Sequence, residues 1–157
     1  MTHHHITCQT FVLALAAITF CVLGSITSAH AQSVTLRQGQ SQTQTYTSSF
    51  GAAGAATATF SLNHNVLTVT YKNTSTTNTY LNGIGFNSVP HILPEDLESS
   101  TATGGWRADA GPGGGLGNFD LISSSTGRTR LASGASGTAV FILTEVRAEI
   151  LIEQSIV

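Results

Sequence analysis

The chain has 157 residues, 41% of them hydrophobic and only 9% charged, with 6 Lys+Arg against 8 Asp+Glu and a formal net charge of -2. A globular domain averages about 25% charged residues, so neutral polar groups must keep this one in solution. Its single lysine, Lys72, and few arginines argue against nucleic-acid binding and against a polybasic membrane-surface segment, both of which need clustered cations.

Phe11 to Ile26 is an almost unbroken apolar run, FVLALAAITFCVLGSI, followed by Ala29 and Ala31 as the small residues of an A-x-A site. That order predicts a secretory signal peptide over residues 1–31, cleaved before Gln32, and export to the periplasm or the medium. The run is short against the roughly 20 apolar residues that span a bilayer; an uncleaved anchor is the weaker alternative. The leading MTHHHITCQT has histidines but no Lys or Arg, and the His3-His4-His5 run falls in the discarded segment. Cys8 and Cys21 fall there too, so residues 32–157, read as a single domain, carry no disulfide, thiolate nucleophile or cysteine metal ligand. A domain of that size buries roughly two-thirds of its unfolded surface, enough for a core without staples.

The domain reads as strands. Val34–Arg37 and Thr43–Thr47 are two short ones, joined onward by the small residues 51–56. Next, Ala58, Phe60 and Leu62 alternate with Thr57, Thr59 and Ser61, and Leu67, Val69 and Tyr71 alternate with Thr68, Thr70 and Lys72. The Asn63-His64-Asn65 between them predicts a tight hairpin, since asparagine tolerates the left-handed backbone such turns need. One face of that hairpin is apolar and the other threonine-covered, as in a half-buried antiparallel sheet. Thr79–Phe86 is a further strand, in which Gly83 and Gly85 mark a bulge or a close backbone approach. Residues 90–105 read as a loop with at most one helical turn, and 111–117 as a flexible glycine loop. Asn118–Ser123 is expected to be a strand with Phe119 and Leu121 on one face, and Thr138–Thr144 another. From Glu145 to Glu153 a period of two would turn Val146, Ala148, Ile150 and Ile152 inward, with a helix as the competing reading. As a strand it would close the chain at a sheet edge, where unpaired backbone invites self-association. Eight or so strands with turn signals between them predict an all-β protein, an antiparallel β-sandwich of jelly-roll or Ig-like type. Phe60, Leu62, Leu67, Val69 and Phe141 are its expected core.

Several of these pieces, LTVTYKNTST, TYLNGIGFNS, GPGGGLGNFDL and LASGASGTAVFIL, together with the A-x-A signal, resemble the secreted β-sandwich proteins of bacteria that carry a PEP-CTERM sorting tail. The resemblance covers roughly residues 57–143 and implies an exported protein of a biofilm or surface-matrix system. The tail of that family, Pro-Glu-Pro with an apolar helix and an arginine cluster, is not among these residues, so sorting and anchoring are not carried over.

No G-x-S-x-G nucleophile elbow occurs, and the glycine loop lacks the spacing and lysine of a phosphate-binding loop. His64 reads as a solvated turn residue. His91 could join a serine and Asp109 or Asp120 in a triad, although two isolated histidines fall short of a zinc set. Glu95, Asp96 and Glu98 are calcium candidates, because hard cations take loop carboxylates; with Asp109 and Asp120 they could also supply a glycosidase pair. Trp106, the only tryptophan, is either a sugar-stacking platform or a core residue. Asn73-Thr74-Ser75 is a glycosylation sequon, for which the bacterial origin that the resemblance implies leaves no use. The expectation is therefore a secreted, non-catalytic cell-surface or extracellular-matrix protein without cofactors, with exopolysaccharide or its own copies as partners. The alternatives are a carbohydrate-binding module using Trp106 and Tyr80 and, behind it, a glycan-active enzyme.

Overall fold

A computed structural model describes residues 33–47, 54–76, 78–111, 118–127 and 129–155. The expected signal segment with Ala29, Ala31 and Gln32, and positions 112–117 of the glycine loop, lie outside the described residues.

The strands are β1 (Val34–Arg37), β2 (Ser41–Thr47), β3 (Ala55–Asn63), β4 (Val66–Asn73), β5 (Gly83–Val89), β6 (Leu97–Ala102), β7 (Trp106–Ala110), β8 (Leu121–Ser125), β9 (Ser136–Leu143) and β10 (Glu149–Ser155). One 3₁₀ turn, Pro94–Asp96, precedes β6. The strands form two five-stranded sheets in the orders β1-β10-β5-β8-β7 and β2-β3-β4-β9-β6, antiparallel throughout. The molecule is the β-sandwich that the alternation predicts. No helix among the described residues is long and apolar enough to cross a membrane.

The core is the product of period-2 sequence. Along β3 and β4 the buried residues are the even-numbered Ala56 to Leu62 and the odd-numbered Leu67 to Asn73, and the register pairs Phe60 with Val69 and Leu62 with Leu67. Phe86 of the first sheet inserts between Phe60 and Phe141 of the second, edge to face with each at centroid distances of 5.1 and 6.0 Å. All five expected core residues are fully buried. The hairpin tip differs in one detail. His64, at φ 55°, takes the left-handed position, not a neighbouring asparagine. Its N–H donates to Gln38 Oε1 (2.6 Å) and its carbonyl accepts from Gln38 Nε2 (2.7 Å), so the side chain across the β1–β2 turn holds the backbone in place.

Four other expectations need correction. β6 lies where a loop was expected; it is a polar strand at the edge of its sheet, and without a fully buried residue it lacks the alternation that reveals a strand. β7, at the other sheet's edge, falls in residues 106–110, where no element was expected, and turns Trp106 and Ala108 into the core. Gly83 starts β5, because Thr79–Asn82 crosses between sheets, bridging Leu81 to Leu131 on the way. Phe119 precedes β8, and its ring occupies the space where a Cβ on Gly85 would stand, 2.1 Å from Cδ2. Gly85 alternates with the inward-facing Ile84 and Phe86, so Phe119 covers the outside of the first sheet while Leu121 faces in. Gly85 is thus a close approach. Finally, the C-terminal segment is a strand but starts at Glu149, and it lies between β1 and β5, not at an edge. Residues 144–148 turn from one sheet to the other, which leaves Val146 64% exposed; only Ile150 and Ile152 of the expected set are buried. The edge on which self-association was expected is therefore an internal strand.

Candidate functional site

The connections β1–β2, β3–β4, β5–β6 and β9–β10 and the described ends of the β7–β8 connection gather at one end of the sandwich, as the register of the strands requires. His91, Asp120, Asp96 and the hairpin tip all lie there, so this is the end where the sequence-derived chemistry could assemble.

Part of it does. Asp120 precedes β8, and the pairing of Phe86 with Leu121 brings it beside the end of β5. Its Oδ2 accepts the N–H of Ser88 at 2.8 Å, the N–H of Ile92 at 3.3 Å and Nδ1 of His91 at 3.0 Å. The Ser88 hydroxyl stands 2.8 Å from the same oxygen and 3.1 Å from the Pro90 carbonyl. Burial raises the Asp120 pKa, but the donors from Ser88, His91 and Ile92 outweigh it and hold the carboxyl below its ordinary value. The order of the groups decides their chemistry. A serine nucleophile needs the base at its own hydroxyl. Here aspartate sits between serine and histidine, Ser88 is fully buried, and the His91 ring is exposed with Nδ1 on the carboxylate. The arrangement clamps the 88–92 loop. Asp109, the other expected triad member, pairs instead with Arg107 at 2.6 Å on the surface.

The calcium candidates do not converge. Asp96 Oδ2 accepts the Leu93 N–H at 3.0 Å and Arg147 Nη2 at 3.2 Å, tying the 3₁₀ turn to the β9–β10 connection, while Glu95 and Glu98 are exposed. Among the described residues no group of three or more His, Cys, Asp or Glu side chains could hold a metal ion.

Trp106 is core. It is 5% exposed, stacks on Tyr71 at 4.7 Å and 24°, and donates its indole N–H to the Thr129 carbonyl. Tyr71 in turn lies over Gly137, where a Cβ would stand 2.5 Å from Cε2, and its hydroxyl reaches Ser123 of the opposite sheet at 3.1 Å. A sugar platform needs an open ring face, so the ligand role considered for Trp106 does not hold. The sequon is also spent on structure: Asn73 is buried and donates its amide to the carbonyls of Thr79 and Leu131, both at 2.9 Å, lacing the opposite end together.

The feature that remains is a surface. The residues of the second sheet that alternate with its core point outward in rows set by the register. One row is Thr43, Thr59, Thr70 and Thr138; a second is Ser41, Ser61, Thr68, Val140 and Thr101; a third is Thr45, Thr57, Lys72 and Ser136. Within the first row the hydroxyls of Thr43 and Thr59 are 2.7 Å apart and those of Thr70 and Thr138 3.4 Å. Rows of this kind repeat at about 4.8 Å across the strands and about 6.8 Å along them. Lys72 is the only charge in the three rows, and they contain no aromatic ring. The threonine side of the hairpin is legible in the sequence; its extension over β2 and β9 depends on which strands flank it. Comparison with protein-family models, with curated proteins and with solved structures returned no match.

Proposed function

We propose that this is an exported, non-catalytic β-sandwich protein of a cell surface or extracellular matrix, which presents the hydroxyl face of its second sheet to a neutral, hydroxyl-rich polymer such as an exopolysaccharide. The observation that carries this reading is the three-row array of Thr and Ser with a single charge. Such a face offers donors, acceptors and methyl groups at a fixed repeat and pays little desolvation, because hydroxyls and glycans exchange water for one another at small net cost. The apolar run before Ala29 and Ala31 supports export, and the resemblance to PEP-CTERM-type proteins is in keeping with a matrix setting. The buried serine and the aspartate-centred order of Ser88, Asp120 and His91 support a non-catalytic role.

The test is co-sedimentation of the purified protein with insoluble neutral polysaccharides, alongside a Thr59→Val/Thr70→Val variant that keeps β-branched shape and removes hydroxyls from the central row. Retention of the wild type and its loss in the variant is the expected result. No retention on any neutral polysaccharide, or equal retention of both proteins, would overturn the reading. A second reading, a stacking carbohydrate-binding module, is favoured by Tyr80, whose side chain is 57% exposed; loss of retention in Tyr80→Ala with the threonine variant unaffected would select it.

A further inference from the structure

Among the described residues each sheet has two edge strands, and three of the four are blunted. β1 has only four residues, with Arg37 paired to Glu149 beside it. β7 has five, with Arg107 and Asp109 among them. β6 carries Glu98 and a register shift between Leu97 and Ser99. Short length, charge and bulges are the usual protections of an edge. β2 has none of them: seven residues, SQTQTYT, without charge, proline or glycine, paired to β3 in unbroken register from Ser41 to Thr47.

The open side of β2 can be assigned residue by residue. Leu62 N–H donates to the Gln40 carbonyl at 3.3 Å, and Thr74 N–H to the Ala55 carbonyl at 2.9 Å. Both fix the phase of the ladder: with Ser41 opposite Ser61 and Thr47 opposite Ala55, alternation turns the N–H and C=O groups of Ser41, Thr43, Thr45 and Thr47 away from β3. Among the described residues no strand pairs with that side.

We infer that the open edge of β2 takes a second copy of this chain, pairing antiparallel with the β2 of its partner about a two-fold axis at Gln44. That register sets Thr43 against Thr45 of the partner subunit, and Ser41 against Thr47 of the partner subunit. All four outward residues are then used, for about eight backbone hydrogen bonds. The side chains fit a copy better than an unrelated strand. Across the axis Thr43 faces Thr45 of the partner subunit on the outer side, hydroxyl against hydroxyl, the pairing Thr43 already makes with Thr59 at 2.7 Å, and cross-strand Thr pairs favour association. No charge on either strand opposes it. An edge of seven residues is about 24 Å long, too little for an obligate interface, so the dimer is weak and reversible. It joins two threonine faces into one. The dimer does not depend on glycan binding, and either can fail alone.

The test is sedimentation equilibrium of the chain, purified with the N-terminus its host leaves on it, over a concentration series reaching the hundreds of micromolar. The wild type should show a reversible monomer–dimer equilibrium. Thr43→Lys/Thr45→Lys places like charges opposite one another across the axis and should abolish the dimer, with circular dichroism and urea midpoint checking that the fold survives. Mixing that protein with Thr43→Glu/Thr45→Glu should restore a dimer containing one of each. Ser99→Lys/Thr101→Lys on the β6 edge should leave the dimer intact. A wild type that stays monomeric throughout, a dimer that survives the β2 lysines, or one lost to the β6 lysines instead would overturn the inference.

Discussion

Replacing Asp120 with alanine tests the clamp directly. The carboxylate receives the Ser88 N–H, the Ser88 hydroxyl, the Ile92 N–H and His91 Nδ1. In the variant the Ile92 N–H keeps the Ser88 hydroxyl at 3.0 Å, but the Ser88 N–H, in a fully buried residue, keeps no acceptor. A buried orphan donor costs about 1–3 kcal/mol, and a hydrogen bond to a charged group contributes about 1.5–3. Because these bonds share one carboxylate they do not add, and the expected loss is about 2–4 kcal/mol. The pH dependence has a definite sign. Asp120 is held below the ordinary 3.8 in the folded state, so its contribution is complete above that value and is lost as pH falls through the lower folded one. Urea unfolding followed by the fluorescence of Trp106 measures both. At pH 7 Asp120→Ala should be the less stable by that amount, and the gap should narrow below about pH 4, near the unfolded aspartate value. His91→Ala, which removes a partner whose side chain is 68% exposed, should cost no more than about 1 kcal/mol. A gap under about 0.5 kcal/mol at pH 7, within the scatter of ordinary surface substitutions, or a gap independent of pH, would refute the clamp.

Two further substitutions test the packing. Phe60→Ala empties the site against Phe86 and should cost about 3–5 kcal/mol in the same assay; a loss below about 1 kcal/mol, the range of surface sites, would mean that the sheets do not close on this ring. Gly85→Ala drives a methyl into the Phe119 ring and should cost about 1–3 kcal/mol, and the double variant with Phe119→Ala should be less than additive. Strict additivity would place Phe119 elsewhere.

The hairpin was legible because its two strands have strong alternation and a two-residue turn, both local properties. What local pattern does not encode is which sheet a segment joins. The alternation from Glu145 to Glu153 was real in sequence, yet Val146 and Ala148 lie in a crossing between sheets, and only the strand order shows β10 to be internal. β6 was hidden for the opposite reason: at an edge, Glu98, Ser99 and Thr101 stay wet on one side and no apolar stripe is required. Phe119 and Leu121 have the spacing of one face, but Phe119 sits before the strand begins and is free to fold back over Gly85. Trp106 offered both fates from the sequence, and the choice came from Gly137, thirty-one positions away, whose missing side chain admits Tyr71 beside the indole. The clamp is illegible for the same reason. Ser88 and Asp120 are 32 residues apart and meet only through the register of β5 with β8.

Charge in this chain is partitioned along the sequence, and the fold turns that partition into a property of one surface. Between Gln38 and Pro94 the only charged residue is Lys72, and β2, β3 and β4, which form three-fifths of the second sheet, come from that stretch. The acids enter at Glu95 and later, in the 3₁₀ turn, the edge strand β6 and the strands β7 and β10 of the other sheet. Recognition through the threonine face or the β2 edge must then work by short-range hydrogen bonds and methyl contact, with almost no Coulomb component to screen. Screening at 0.1 M salt acts over about 10 Å, and it would erode a contact built on exposed pairs such as Arg37–Glu149 while leaving a hydroxyl contact unchanged. Polymer retention and β2 dimerisation should therefore hold from low to molar sodium chloride. A steep loss with salt in either assay would move the interaction off this face and onto the charged loops and strands of the first sheet.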